Sequence, residues 1–138
     1  MKFDNSYRKL PERFYAPSKA MSLNSPKLIA INQSLANELD FSCDHYSQSE
    51  LALIFSGQTQ LEGAEFISLA YSGHQFGHFV SSLGDGRAIL MGEVVNQNGK
   101  RYDLQLKGAG PTPFSRRGDG KSALGPVIRE YIVSEAMH

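Results

Sequence analysis

Leu28, Ile31, Leu35 and Leu39 recur at spacings of three and four, the period of one helical face. Ser25 stands as N-cap and Pro26 at the first helical position, so the spacing predicts a helix over Pro26–Leu39. A second, short helix is predicted over Ser49–Phe55, followed by a loop, "SGQTQLEGAE". Residues 1–25 scatter Tyr7, Phe14 and Tyr15 among prolines and polar groups, which predicts an extended arm packed by its aromatics. Phe66–Tyr71 is an apolar run that fits a strand or a helix equally well.

Downstream the period changes. "SGHQFGHFVSSLGDG" reads as a glycine-punctuated loop, and Ala88–Val95 as a strand. "NQNGKR" then carries Asn98-Gly99, the strongest local hairpin signal. Tyr102–Lys107 returns antiparallel with clean alternation: Tyr102, Leu104 and Leu106 on one face, Asp103, Gln105 and Lys107 on the other. A last helix is predicted to start near Pro126, with Gly125 or Ser122 before it. Its apolar face would hold Leu124, Val127, Ile128 and Tyr131, with Glu130 off that face beside Ala123, Ser134 and Met137. The fold class expected is α+β, an antiparallel sheet with flanking helices. Two parts are expected within one continuous lobe: an arm and helices over 1–65, and the sheet, glycine loops and closing helix over 66–138.

Composition adds little to this until its distribution is considered. The 138 residues carry 14 basic and 14 acidic side chains, which gives no global pull toward nucleic acid or an anionic membrane. Locally, Gly84–Lys121 holds seven Lys/Arg against four Asp/Glu, and eight of the 13 glycines fall between Gly84 and Gly120. Glycine and positive charge gather in one place. The single cysteine, Cys43, excludes an internal disulfide and a cysteine-based metal site. No secretory h-region opens the chain and no apolar run reaches membrane-spanning length, so a cytoplasmic location is expected. "REYIVSEAMH" runs without a helix stop signal, so a fragment of a longer protein is expected.

Four segments carry candidate chemistry, each with a plainer reading beside it. In "LGDGRAILMGEV", Gly84 and Gly86 would let backbone amides approach a phosphate and Arg87 would add a fixed charge; the plainer reading is a tight turn with a solvated arginine. Lys107 ends a strand on its polar face, a good station for a point charge, or simply a surface lysine. "SRRGDGK" sets three basic side chains around a Gly-Asp-Gly turn; Asp119 could orient an arginine or a ligand hydroxyl, or the loop could be merely solvated. It lacks the spacing of a P-loop. Glu130, finally, is either a solvated helix residue or the partner of Lys107, since a strand lysine and a helix glutamate are the pair by which protein kinases fix a nucleotide phosphate. His74 and His78 stand four apart, but Gly73 and Gly77 argue against a helix, so a loop role is favoured over a metal.

"FDNSYRKLPERFY", "YSGHQFGHFV", "LGDGRAILMGEV", "DLQLKGAGPTPFSRRGDGK" and "IREYIVSEAMH" together resemble the selenoprotein O family, YdiU in bacteria. The resemblance covers nearly the whole chain, is weakest over residues 40–62, and is to the N-terminal part of the family only. It implies the N-terminal lobe of a kinase-like fold, truncated before its C-terminal lobe. It also implies protein adenylyltransfer: AMP from ATP, or UMP from UTP, moved onto Ser, Thr or Tyr hydroxyls of other proteins, with a magnesium or manganese ion. The nucleotide would lie reversed relative to a kinase, its α-phosphate toward the acceptor.

By motif, the resemblance carries nucleotide contacts to Gly84, Gly86, Arg87, Asp119 and Gly120, the strand lysine to Lys107 and its helix partner to Glu130. The catalytic aspartate and both metal ligands are expected downstream, so no metal ligand is assigned here. "KSALGPVIREY" departs from the family, in which many members carry arginine and serines before the IRE. The alternatives are an inactive truncated module, or an interaction domain whose basic loop docks an acidic partner.

Overall fold

The computed structural model describes residues 1–137. Its centre is a four-stranded antiparallel sheet in the order β1-β2-β5-β6, built from β1 (Tyr15–Pro17), β2 (Ile67–Leu69), β5 (Ala88–Val95) and β6 (Arg101–Lys107). The expected β5–β6 hairpin is present, and its turn closes through the Asn96 side chain, whose Oδ1 accepts from the amides of Asn98 and Lys100. Alternation along β6 is as predicted, with Leu106 buried and Asp103, Gln105 and Lys107 exposed. The open choice at 66–71 resolves to strand β2, antiparallel to both β1 and β5.

β5 is enclosed on both faces. Ile89 and Met91 pack with Ala20, Ile54 and Leu106, while Leu90 packs with Tyr15 and Ile67. Ile54 comes from α2 (Gln48–Phe55), which opens with a capping box: Ser47 Oγ accepts from the Glu50 amide and Glu50 accepts from the Ser47 amide. Between Leu90 and Gly92 the register shifts, a bulge that makes room for the N-terminal arm. Phe3 and Asn5 lie against Gly92, where any Cβ would collide with both.

That arm is one of three departures from expectation. It is pinned by backbone pairing as well as by aromatics: Asp4 N donates to Glu93 O, Val95 N donates to Lys2 O, and Phe3 bridges Val94. Tyr15 is buried as expected, but Phe14 stays 42% exposed. Second, residues 26–32 are not helical. α1 is only Gln33–Glu38, because Asn32 takes the N-cap, its Oδ1 accepting from Leu35 N at 2.9 Å, and Asp40 leaves the helix with φ 55°. Leu28 and Ile31 still reach the cluster of Ala36, Phe41, Cys43 and Leu51, so the periodicity reflected burial without a continuous helix. Third, the loop expected after Tyr71 contains a second sheet, β3 (Gly73–Gln75) and β4 (His78–Val80), paired antiparallel.

α3 (Leu124–Met137) begins slightly ahead of Pro126, with Pro126 tolerated in its first turn. The last residue of the predicted helix, His138, lies outside the described residues. The predicted apolar face forms, yet it is not covered: Leu124, Val127, Ile128 and Tyr131 are 41–55% exposed. Two polar contacts tether the helix, Lys107 to Glu130 and Asn32 Nδ2 to Glu135 Oε1 at 2.6 Å. Among the described residues no helix is long and apolar enough to cross a membrane.

Candidate functional site: a two-loop pocket beside a strand lysine

The two glycine loops meet. The loop entering β5, through Gly84, Gly86 and Arg87, and the loop leaving β6, from Phe114 to Lys121, line one polar pocket of about 380 Å³. Gly84, Gly86, Arg87, Asp119 and Gly120 all contribute to its wall, with Arg116 and Lys121. Five of the seven residues singled out in the sequence therefore share one opening. Arg117, the third basic side chain of its loop, does not line it. A larger opening of about 600 Å³ lies beside Met1, Lys2, Phe3 and Asp40, and neither glycine loop contributes to it.

Hydrogen bonds clip the loops together. Thr112 Oγ1 donates to Asp85 O at 2.6 Å, and Ser115 Oγ donates to Gly86 O at 2.5 Å. Asp85 anchors the first loop from below: its carboxylate accepts from Leu69 N at 2.9 Å and from the Tyr71 hydroxyl at 3.0 Å. Burial, then the bond to Asp85, raises the Tyr71 phenol above its ordinary pKa. Arg87 O accepts from Gly108 N at 2.8 Å, and Ala109 bridges Lys121. The loops are thus held by the sheet beneath them and by each other.

The glycines serve this closure. Gly84 has φ 58°, and a Cβ there would stand 2.4 Å from the Phe114 ring; Gly120 has φ 68°, and a Cβ would stand 1.9 Å from Gly110 O. Phe114 fills the space beside Gly84, and its carbonyl lies beside Gly86. The close approach that the glycines permit is therefore between loop and loop. Asp119 Oδ1 accepts from Lys121 N at 3.0 Å, an Asx-type turn that shapes the loop.

Lys107 and Glu130 stand at a neighbouring cleft of about 480 Å³, more apolar, lined also by Ile31, Leu104, Val127 and Tyr131. Lys107 Nζ donates to both Glu130 oxygens, at 2.7 and 2.8 Å. Their side chains are 46% and 54% exposed, so the pair contributes little to stability; what it does is orient the ammonium. Lys107 pairs with Ala88, the residue after Arg87, so the two clefts adjoin along the β5–β6 edge.

Asp85, Thr112, Phe114 and Ser115 escaped the sequence reading. The signal for Asp85 was present in the Gly-Asp-Gly turn, where a small acidic side chain beside a strand is a natural acceptor for loose amides. His74 and His78 do not converge: the hairpin pairs His74 with Phe79 and Gln75 with His78, and the His74 ring meets Phe79 edge-on. Among the described residues, no group of three or more His, Cys, Asp or Glu could hold a metal ion.

The geometry defines a class, an antiparallel α+β unit that closes a cation-bearing pocket with two glycine loops and sets an oriented strand lysine beside it. Comparison with known proteins supplies the family. The profile described as "Protein adenylyltransferase SelO" matches residues 1–138, and the chain belongs to that family of protein nucleotidyltransferases. It is 61% identical over 137 residues to "Protein nucleotidyltransferase YdiU" of Agrobacterium fabrum, covering 99% of this chain and 28% of that protein. Against the protein of the same name from Methylorubrum populi it is 56% identical over 136 residues, covering 99% and 27%. The chain thus spans a little over a quarter of the length of the curated relatives it matches.

Proposed function

We propose that the two-loop pocket cradles the polyphosphate of a nucleoside triphosphate. On this proposal the intact protein transfers AMP from ATP, or UMP from UTP, to Ser, Thr or Tyr hydroxyls of other proteins. The observation that carries the reading is the convergence of Arg87, Arg116 and Lys121 on one rigidly clipped pocket. Three cations on a fixed frame suit an anion of several charges, because their positions need no reorganisation when it arrives. Amides and loop turns between Gly84 and Gly120 would complete the cradle.

Lys107 and Glu130 support a kinase-like N-terminal lobe. A β-strand ammonium, oriented by a helix carboxylate, is a device for holding a phosphate at a set height above a sheet. In the transfer, an acceptor oxygen bonds to the α-phosphorus and the bond from that phosphorus to the bridging oxygen breaks. The hydroxyl proton passes to a base and pyrophosphate leaves. This chain's residues would hold and neutralise the polyphosphate, and so favour departure of the pyrophosphate. The described residues do not offer a ligand set for the magnesium or manganese ion that the resemblance implies, and no step here is routed through one.

The test is Lys107→Ala in the intact protein. Transfer of label from α-labelled ATP to acceptor protein should fall by on the order of a hundredfold. Unchanged transfer would remove Lys107 from the machinery.

A further inference from the structure

Next in sequence to Gln75, a residue of the pocket wall, stands a residue in an unfavourable backbone conformation that its own packing does not repay. β3 and β4 pair with Gln75 opposite His78, so only Phe76 and Gly77 form the turn. Their φ values are 53° and 77°. A two-residue turn with both φ positive is type I′, whose first position strongly favours Asn, Asp or Gly. An aromatic side chain there is strained, and Phe76 is 89% exposed, so burial does not compensate. Just before it, Gln75 lines the polar pocket and accepts from Arg116 Nη1 at 3.0 Å. The base of the hairpin is fixed, since Leu83 and Gly84 both donate their amides to Tyr71 O and a Cβ on Gly73 would meet Leu83 at 2.8 Å.

We infer that Phe76 is the stacking platform for the nucleobase of the bound nucleotide, an inference that rests on the polyphosphate reading of the pocket. The pocket wall is mostly polar and cationic, which suits phosphate, and its two apolar members, Leu83 and Phe114, are packed against Gly73 and Gly84. The hairpin tip supplies an exposed aromatic face one residue beyond Gln75, on a frame tied to the phosphate loop through Gln75 and Arg116. Stacking on an aromatic ring is tolerant of base identity, because every base presents a π-face. The platform therefore accepts a purine or a pyrimidine triphosphate alike.

The experiment compares ATP with inorganic tripolyphosphate, which has the phosphates but no base, by calorimetry on the intact protein. Phe76→Ala should weaken ATP by on the order of tenfold and leave tripolyphosphate unchanged, and Phe76→Tyr should restore ATP. Phe76→Asn, which suits the turn, should raise the melting temperature while weakening ATP to the same degree. Arg87→Ala should weaken both ligands. ATP affinity unchanged in Phe76→Ala and Phe76→Asn would overturn the stacking role and leave the pocket reading intact. So would a change confined to the KM for the acceptor protein, which would make the tip an acceptor contact. Failure of the wild type to bind either ligand would overturn the pocket reading itself.

Discussion

β5 and α3 are both largely apolar elements of the fold, and the chain treats them in opposite ways. Along β5, Ile89, Met91 and Val94 have no exposed surface and Leu90 has 1%. Along α3 no residue is buried. β5 is held by enclosure between α2, its neighbouring strands and the arm. Among the described residues α3 is tethered by two polar side-chain contacts, one of which is the proposed functional ion pair. The comparison teaches that apolar content and burial are separate properties, and that the candidate site sits on the less enclosed side. Enclosure fixes the sheet; the sheet edge fixes Lys107; a surface pair then aims it.

The difference can be broken at its strong end. Ile89→Ala should destabilise the protein by about 3 kcal/mol in urea unfolding, through lost burial and an unfilled cavity at the centre of the sheet. A cost under about 1 kcal/mol would mean that β5 is not the keystone its enclosure implies.

The arm that covers β5 gives a second, pH-dependent handle. Hydrogen bonds from Arg101, then Lys9, lower the Asp4 carboxyl to about 2. Burial pushes Glu93 up, but the Ser6 hydroxyl at 2.6 Å, the Tyr7 amide at 2.8 Å and Arg101 at 3.1 Å together hold it below its ordinary value. A depressed carboxylate adds stability above its unfolded pKa and loses it as pH falls through its folded value. Asp103 acts in the other sense: although the residue is exposed overall, partial desolvation of its carboxyl, then Glu93, raises it, so its protonation on acidification favours the fold. The urea midpoint should therefore fall as pH drops from about 4 toward about 2, where Asp4 protonates, and the protonation of Glu93 below its ordinary range adds to the fall. Asp4→Asn should flatten part of that slope, and an unchanged slope would show that the arm's ion pairs are not coupled to folding.

The smallest effect belongs to α3. Ile132→Lys, at a position 60% exposed, should change stability by less than about 0.5 kcal/mol. A larger loss would mean that something covers this helix face in solution and that the contrast with β5 is less sharp.

Legibility in the sequence follows the same division. The β5–β6 hairpin was readable because alternation and an Asn-Gly turn act over a few residues. The two glycine loops were readable from composition, and the resemblance tied Lys107 to Glu130, a pairing that the geometry contains. What could not be read depends on partners far along the chain. Residues 2–4 carry no strand signal of their own and become a strand-like edge only because β5 bulges at Gly92. Asn32 displaced Ser25 as a helix cap without altering the apolar spacing. The β3–β4 hairpin hid behind three-residue strands and a Phe-Gly turn that no turn preference would pick. Phe114, between a proline and a serine, has no periodicity to mark it as the plug between two loops.

The reach of the arm also has a kinetic side. Ser6 and Glu93 are 87 residues apart, yet they share a 2.6 Å hydrogen bond. On a ribosome the first residues emerge long before their partner strand exists, and β5 in turn must find β6 before the sheet can close. Closing so long a loop is slow compared with forming the local hairpin. The β5–β6 hairpin is thus expected to form first and the arm to dock late. Until it does, the stretch of β5 that the arm covers remains open to any neighbouring strand.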